Sequence, residues 1–181
     1  MSHSLVPTID DTRTNAAFEE LMWALSRPGQ VRDMPGEGFL PLAESLLDRE
    51  CSFHAADDAS LGTMLAATGA RRAPLAEADY VFAAIDAAEK VEALAPLRIG
   101  TLAYPDDAAT LFATARLGSG QRLRLTGPGI KDDVTIEIGG VDPGFWQMRR
   151  KALRYPLGWD LYLVDSKRLL GIPRSTTIEV L

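Results

Sequence analysis

The sequence predicts an α/β protein in which a mixed sheet carries helices on its faces. Segments with helical spacing alternate with short apolar runs in the first two thirds of the chain, and strand patterns follow one another in the last third. Interleaved helices and strands favour a sheet covered by helices, whereas consecutive strands favour antiparallel pairs. Residues 80–85 are apolar throughout, which is typical of a strand covered on both faces. We therefore place that strand in the centre of the sheet.

The composition is that of one globular domain spanning residues 1–181. With 46% hydrophobic and 24% charged residues, the chain can bury a sizeable core. A formal net charge of -6 disfavours a non-specific nucleic-acid or anionic-membrane surface, since both need a basic excess. The first residues lack the basic and apolar regions of a signal peptide, and no apolar run approaches the roughly 20 residues of a membrane span. We expect a cytoplasmic protein with no nucleic-acid or membrane partner.

The first predicted element is an amphipathic helix over residues 12–25. Its apolar positions recur at i, i+3, i+4 and i+7, namely Phe18, Leu21, Met22 and Leu25. Thr14 and Asn15 are its candidate N-caps. Pro28 and Gly29 end it, because proline disfavours helical geometry in the residue before it and glycine permits a sharp turn. A short edge strand near Val31 is expected next.

Three more helices are predicted before residue 100. Pro41 marks the start of the second helix, and Gly69 is a natural C-cap for the third, over residues 59–68. The fourth is short and alanine-rich, over residues 87–94. Residues 51–55 form a strand before the third helix. Residues 109–115 fit either a helix or a strand by periodicity, and we assign a strand.

The rest of the chain predicts a helix and several strands. Residues 121–126 and 134–138 alternate apolar and polar positions, and a helix follows over residues 144–153. A hairpin comes next, reversing at residues 165–168 and stopped by Pro173, which offers no N–H to a sheet ladder. The β-branched residues that follow predict a final strand.

Few residues carry a chemical pattern on their own. Cys51 is a single cysteine, and no CxxC or histidine-rich spacing indicates zinc or an iron–sulfur cluster, so we expect no metal. His3 and His54 are far apart and lack the pattern of a catalytic triad. The acidic pairs at 57–58 and 106–107 are interpreted as caps at helix starts. The sequence assigns no catalytic residue.

Two arginines suggest an anion-binding arrangement. Arg124 leads into a glycine loop whose backbone N–H groups can cradle phosphate, and Arg174 stands before three hydroxyl residues. If their strands are neighbours, both guanidinium groups converge, and planar guanidinium binds phosphate through two hydrogen bonds. The predicted anion-binding residues are Arg124, Gly127, Gly129, Arg174 and Thr176.

Each part of this arrangement has a structural alternative. Pro128 removes one N–H donor from the glycine loop, which then serves as a turn. Arg174 can pair with an acidic residue such as Asp160 and lock the hairpin. The basic cluster at 149–151 and Arg154 reads as a solvated helix face, or as a contact for an acidic partner or a phosphate group.

Three blocks of sequence resemble a known family in their order and spacing. They are FEELMWALSRPG at residues 18–29, RLRLTGPGI at 122–130, and YPLGWD at 155–160 with IPRSTT at 172–177. Together they resemble the PhnH family, a subunit of the bacterial carbon–phosphorus lyase core complex of phosphonate metabolism. Tyr155 and Ser175 depart from the Phe and Thr usual in the family, but both keep the side-chain character.

The resemblance implies an α/β fold similar to the large domain of pyridoxal-phosphate-dependent transferases, without that or any other cofactor, and a homodimer. It also implies partner subunits of the G, I, J and L types. Beside them the chain supports transfer of the ribose triphosphate of ATP to a phosphonate, giving a ribose 1-phosphonate 5-triphosphate. The sequence lacks both the cysteine trio of the radical subunit and a Walker lysine.

Three functions remain open on this basis. The favoured one is a supporting subunit, inactive alone, and the alternative is a stand-alone enzyme that binds a nucleotide or a phosphonate. A pyridoxal-phosphate enzyme is the weakest, because Lys90 and Lys167 lie in polar stretches and a Schiff base needs a buried lysine. Four aromatic residues near the C-terminus are expected to stay partly uncovered and to favour a dimer: Trp146, Tyr155, Trp159 and Tyr162.

Overall fold

The computed structural model describes residues 6–56 and 58–181. The helices are α1 (Ile9–Ser26), α2 (Leu40–Leu46), α3 (Ala59–Ala66), α4 (Ala88–Ala93) and α5 (Gly144–Ala152). The strands are β1 (Arg32–Asp33), β2 (Ser52–Ala55), β3 (Arg71–Arg72), β4 (Tyr80–Phe82), β5 (Thr110–Thr114), β6 (Arg116–Thr126), β7 (Val134–Gly139), β8 (Asp160–Asp165), β9 (Arg168–Ile172) and β10 (Thr177–Val180).

Seven strands form a mixed sheet in the order β1-β9-β8-β5-β4-β2-β3. The five strands from β8 to β3 are parallel. β9 pairs antiparallel with β8, and β1 pairs antiparallel with β9. This confirms the predicted α/β class, the mixed sheet, and the hairpin formed by β8 and β9. The strand predicted over residues 80–85 is the interior strand β4, shorter than expected.

A second sheet, which the sequence did not predict, contains three antiparallel strands in the order β10-β6-β7. The predicted C-terminal strand, β10, pairs with β6 rather than with the hairpin that precedes it. β6 also begins at Arg116, five residues before the predicted start, because a bulge between Leu117 and Gln121 interrupts the alternation on which the prediction rested.

Helices cover both faces of the seven-stranded sheet. Leu65 of α3 packs in one buried cluster with Phe82, whereas Val91 of α4 packs in a second cluster with Val81. Because Val81 and Phe82 are consecutive residues of one strand, the two clusters lie on opposite faces. The three-stranded sheet shares the second cluster through Leu123, so the two sheets have a common core.

Helix α1 begins three residues earlier than predicted and buries a different face. Its N-cap is Thr8, whose hydroxyl accepts the Asp11 N–H at 3.1 Å while the Asp11 carboxylate accepts the Thr8 N–H at 2.8 Å. The predicted caps Thr14 and Asn15 lie inside the helix. Its buried positions are Ala17, Leu21 and Ala24, and two of the predicted apolar positions, Phe18 and Met22, are exposed.

Close approach to β9 explains this choice of face. A Cβ atom on Gly171 would lie 2.6 Å from the Ala24 carbonyl carbon, so only glycine fits between strand and helix. The Tyr162 hydroxyl donates to the Leu21 carbonyl oxygen at 3.0 Å and holds α1 over β8. Small side chains therefore face the sheet, and the larger ones point away from it.

The aromatic residues near the C-terminus are mostly covered. Trp146, Trp159 and Tyr162 are buried, whereas Tyr155 is 76% exposed. The prediction that these residues leave an uncovered aromatic surface is therefore wrong for three of the four. Trp146 and Trp159 pack in the cluster that α5 shares with both sheets, and Tyr162 packs in the cluster with α1.

The chain passes from the seven-stranded sheet to the second sheet at Ala115, and charged groups fix this crossing. The Asp165 carboxylate accepts the Leu117 N–H at 2.9 Å, and the Arg168 guanidinium donates to the Leu117 carbonyl at 3.0 Å. Asp165 and Arg168 also pair with each other at the turn of the hairpin. The β8–β9 turn thus holds the first residues of β6.

The Asp165 contacts at this crossing should make the stability of the protein depend on pH in the acidic range. The Leu117 N–H, helped by Arg168 and opposed by burial, lowers the pKa of Asp165 below its ordinary value of 3.8. The resulting stabilisation is fully present above that ordinary value and is lost as the pH falls through the folded-state pKa. We predict that the free energy of unfolding of Asp165→Asn at neutral pH is about 1–2 kcal/mol lower than that of the wild type, as measured by urea titration.

The variant should also lose less stability than the wild type on acidification below the ordinary pKa, because the titrating group is gone. Asp106→Asn is the matched control, since Asp106 is exposed and forms no ion pair within the described residues. Equal acid sensitivity of Asp165→Asn and the wild type would contradict this account.

Candidate functional site

The three sequence blocks that resemble one family meet in space, and two glycines allow the contact. A Cβ atom on Gly129 would lie 2.4 Å from the Ser26 carbonyl oxygen, at the end of α1. One on Gly127, where φ is +140°, would lie 2.9 Å from the Ser175 carbonyl oxygen. The glycine loop thus packs against two other backbone segments, which is the structural alternative given above.

Arg124, the first predicted anion-binding residue, lies on β6 opposite β10, so the required strands are neighbours. Its Nη1 is 3.0 Å from Glu179 Oε2 and its Nε is 3.7 Å from Asp133 Oδ2. The guanidinium is about half exposed and has two acidic partners. Its charge is therefore balanced on the outer surface of the second sheet.

Arg174, the second predicted arginine, is held by Asp160. The Arg174 backbone N–H donates to Asp160 Oδ1 at 2.7 Å, and Arg174 Nη2 lies 3.3 Å from Asp160 Oδ2. Its Nη1 donates to the Pro105 carbonyl. The pairing with Asp160 given as the alternative is present, and Arg174 still lines a cleft through its remaining surface.

This cleft, which we call the arginine cleft, has a volume of about 180 Å³ and lies between α5 and the turn that joins β9 to β10. Its polar lining consists of cations and hydroxyl groups from Arg149, Arg150, Tyr155, Arg174, Ser175, Thr176 and Thr177. Of the five predicted anion-binding residues, Arg174 and Thr176 line it, and Arg124, Gly127 and Gly129 do not.

Arg149 forms the floor of the arginine cleft and is only 2% exposed. Its guanidinium donates to the carbonyl oxygens of Thr176 at 3.3 Å, Ile172 at 3.3 Å and Pro173 at 2.9 Å, and its Cζ lies 5.6 Å from the centre of the Trp159 ring. Burial lowers the pKa of Arg149 to about 10, against the attraction of Asp160. The group stays cationic at neutral pH, although charged groups are seldom buried without a charged partner.

No carboxylate forms an ion pair with Arg149 within the described residues. Three buried polar atoms of the cleft residues also lack a hydrogen-bond partner there, namely Arg149 Nε, Thr176 Oγ1 and Trp146 Nε1. Unpartnered buried donors are uncommon in folded proteins and call for an explanation. Each of these groups is a donor of the kind that a small oxyanion accepts from, and such an anion would balance the buried charge.

Sequence reasoning missed Arg149 because it lies in a basic run interpreted as a solvated face. Arg150 and Lys151 are exposed, but Arg149 follows the buried residues Phe145 and Trp146 by four and three positions. Those spacings place all three on one face of a helix. The helical spacing that places Arg149 on the buried face was present in the sequence. It was not used because arginine is usually exposed.

The other sequence candidates have structural roles. His54 lies in β2, as predicted. The Asp58 carboxylate accepts the Leu61 N–H at 2.8 Å and caps α3, whereas Asp57 and His3 lie outside the described residues. The prediction of a helix start at residues 106–107 is wrong, because a turn leads there into β5 and Asp107 pairs with Arg98 at 3.3 Å.

Two features are absent from the described part of the chain. No group of three His, Cys, Asp or Glu side chains is placed to hold a metal ion there. None of the helices in residues 6–56 and 58–181 is long and apolar enough to cross a bilayer.

Comparison with known proteins gives a consistent result. A family model described as "Bacterial phosphonate metabolism protein (PhnH)" matches residues 9–179. A protein of Stutzerimonas stutzeri, named as a candidate C-P lyase subunit, HtxG, is 35% identical over 173 residues, covering 93% of this chain and 87% of its own length. The alpha-D-ribose 1-methylphosphonate 5-triphosphate synthase subunit PhnH of Rhizobium meliloti is 36% identical over 85 residues, covering 45% of this chain and 42% of its own.

The contacts of Arg149 predict a large stability effect. Arg149→Met should lower the free energy of unfolding by about 3 kcal/mol or more, because the carbonyl groups of Ile172, Pro173 and Thr176 lose the guanidinium as a donor. The neighbouring variant Arg150→Met should change it by no more than about 0.5 kcal/mol, since Arg150 is exposed. Urea unfolding followed by circular dichroism measures both, and equal stabilities would contradict the structural role assigned to Arg149.

Proposed function

Because this chain belongs to the PhnH family of bacterial phosphonate metabolism proteins, we propose that it is a supporting subunit of the carbon–phosphorus lyase system for the use of organic phosphonates. The names of both relatives describe subunits rather than complete enzymes. The chain aligns with most of the length of the first relative, which favours the same kind of role.

The step we assign to it is the transfer of the ribose triphosphate of ATP to a phosphonate, carried out with partner subunits of the G, I and L types. The name of the second relative describes a synthase subunit whose product is such a triphosphate. The chain then contributes binding and assembly, and its partners contribute the chemical step.

The arginine cleft is the observation that carries this proposal. A phosphonate is a tetrahedral oxyanion, and the cleft is lined by Arg149 and Thr176, whose Nε and Oγ1 are buried without a partner in the described residues, and by the exposed cation of Arg150. Planar guanidinium suits tetrahedral oxyanions because it donates two parallel hydrogen bonds. We propose that the cleft holds a phosphonate or phosphate group, with Arg174 and Thr176 as the members predicted from sequence.

The same cleft also supports the alternative, a stand-alone enzyme that binds a nucleotide or a phosphonate. That alternative requires turnover by the isolated chain. The pyridoxal-phosphate enzyme is disfavoured because all four lysines, Lys90, Lys131, Lys151 and Lys167, are exposed. We retain only the proposal that the seven-stranded sheet is similar in fold to the large domain of those transferases.

We propose further that the chain forms a homodimer through the outer face of α1. Phe18, Met22 and Trp23 are 46%, 53% and 42% exposed on this face. A twofold axis near Met22 would bring Glu19 of one protomer close to Arg27 of its partner, and both are exposed and form no ion pair among the described residues. A monomer mass by light scattering at micromolar concentrations would contradict this proposal.

Thr176 gives a test of the cleft that does not disturb the fold. Thr176→Val should weaken binding of phosphate and of methylphosphonate about fivefold, since it removes one hydrogen-bond donor. It should leave the free energy of unfolding unchanged within about 0.5 kcal/mol, because the Thr176 hydroxyl has no partner in the protein. Isothermal titration and urea unfolding measure the two effects.

Arg124→Gln is the matched control, because Arg124 lies outside the cleft and should not affect anion affinity. If Arg124→Gln weakened binding and Thr176→Val did not, the anion site would lie at the glycine loop. No affinity of the intact protein for either anion at millimolar concentrations would end the proposal.

The supporting role predicts the behaviour of the assembled system. Purified alone, the chain should not form ribose 1-phosphonate 5-triphosphate from ATP and methylphosphonate, whereas omitting it from the co-expressed subunits should abolish formation. Size-exclusion chromatography should show the chain with its partners. Turnover by the isolated chain would instead establish the stand-alone enzyme.

A further inference from the structure

The chain leaves the neighbouring parallel strands β2 and β4 towards opposite sides of the sheet. After β2 the chain passes through α3 to β3 at the edge of the sheet, whereas after β4 it passes α4 and continues to β5 on the other side. α3 packs in the cluster of Phe82 and α4 in the cluster of Val81, so the two crossovers lie on opposite faces. In an open α/β sheet such a divergence leaves a crevice at the carboxyl ends of the strands, where ligands bind.

A cavity of about 570 Å³ occupies this place. Its lining comes from the carboxyl end of β2, the segments that follow β3 and β4, and helix α4. Cavities of about 300–1,000 Å³ hold small-molecule ligands. Leu75, Ala83 and Leu94 make its wall largely apolar, and the small side chain of Ala84 leaves room beside them.

His54 supplies the one polar group from the strands that line this cavity. Its Nδ1 lies 3.2 Å from the Ala73 carbonyl oxygen. A carbonyl oxygen only accepts, so Nδ1 carries the hydrogen and Nε2 is an acceptor in the neutral ring. No group in the described residues bonds to Nε2, and this atom is not among the buried unpartnered atoms, so it is open to a ligand.

Lys90 stands at the mouth of the cavity on α4. Its Nζ is 2.8 Å from Asp86 Oδ1, and the residue is exposed. An ammonium group has three donors, and this contact uses one of them. The Asp58 carboxylate also lines the cavity, and its Oδ1 is occupied by the Leu61 N–H and the Ser60 hydroxyl. The cavity therefore combines an apolar wall, an acceptor on His54 and a cation on Lys90.

The amino ends of the parallel strands, at the opposite end of the sheet, differ from the carboxyl ends. There Asp79 pairs with Arg98 at 2.5 Å and Asp160 pairs with Arg174 at 3.3 Å, so much of the charge is satisfied within the protein. At the carboxyl ends of the strands, His54 Nε2 has no partner among the described residues.

We propose that this crevice is a second binding site, distinct from the arginine cleft, for a small planar heterocycle bearing an anionic group. A ring N–H of the ligand donates to His54 Nε2, the ring lies against Leu75, Ala83 and Leu94, and the anionic group meets Lys90 Nζ.

Indole-3-carboxylate is a suitable probe, because it has one ring N–H, a planar apolar ring and one carboxylate. The chain has two histidines, His3 and His54, so imidazole nitrogen spectra contain few signals and His3 serves as an internal reference. We expect millimolar probe to shift the Nε2 signal of His54. His54→Phe should weaken binding about fivefold through loss of the acceptor, and Ala84→Leu should abolish it by filling the cavity.

Lys90→Met should weaken binding of indole-3-carboxylate and leave binding of neutral indole unchanged, and Lys151→Met, on α5 outside the cavity, should affect neither. Saturating phosphate should not displace the probe if this site and the arginine cleft are separate. An unshifted His54 signal at millimolar probe would overturn the proposal. Wild-type affinity for the probe in both His54→Phe and Ala84→Leu would also overturn it. Displacement by phosphate would place the probe in the arginine cleft and overturn it as well.

Discussion

The buried guanidinium of Arg149 is the interaction on which the arrangement of the two sheets depends. It belongs to α5, which carries the chain from β7 back to β8, and it donates to carbonyl groups of the turn from β9 to β10. One side chain therefore connects two of the places where the chain passes between sheets. Within the turn the Pro173 carbonyl also accepts the Thr176 N–H at 2.9 Å, so Arg149 adds donors to a turn that has little hydrogen bonding of its own.

The same interaction leaves an excess of positive charge inside the protein. Carbonyl dipoles and the Trp159 ring stabilise Arg149 without neutralising it, and Asp160, whose charge attracts it, is already paired with Arg174. A single carboxylate thus serves two guanidinium groups in a partly dry environment, where charge imbalance costs most. The structural role of Arg149 and the proposed affinity for an oxyanion have the same electrostatic origin.

The two proposed sites lie at opposite ends of the parallel strands of the seven-stranded sheet. The arginine cleft borders the edge where β8 begins, and the crevice beside His54 lies where β2 and β4 end. The first is polar and cationic, and the second is largely apolar with one acceptor and one cation. Because they share no lining residue, each site can be tested without the other.

The sequence alone determined the α/β class and most of the elements, since the periods of helices and strands are local properties that a run of residues such as 80–85 displays directly. It also identified the family, because three blocks of sequence match it in their order and spacing, and this combination is more specific than any single motif. It did not reveal that β10 joins β6, because strand partners are chosen by contacts between distant segments. Nor did it show that Ala17 and Ala24 rather than Phe18 face the sheet, which follows from the close approach at Gly171. The candidate site divided in the same way: Arg174 and Thr176 were found from local chemistry, whereas Arg149 became visible only when the fold decided which polar groups are buried and which of them lack a partner.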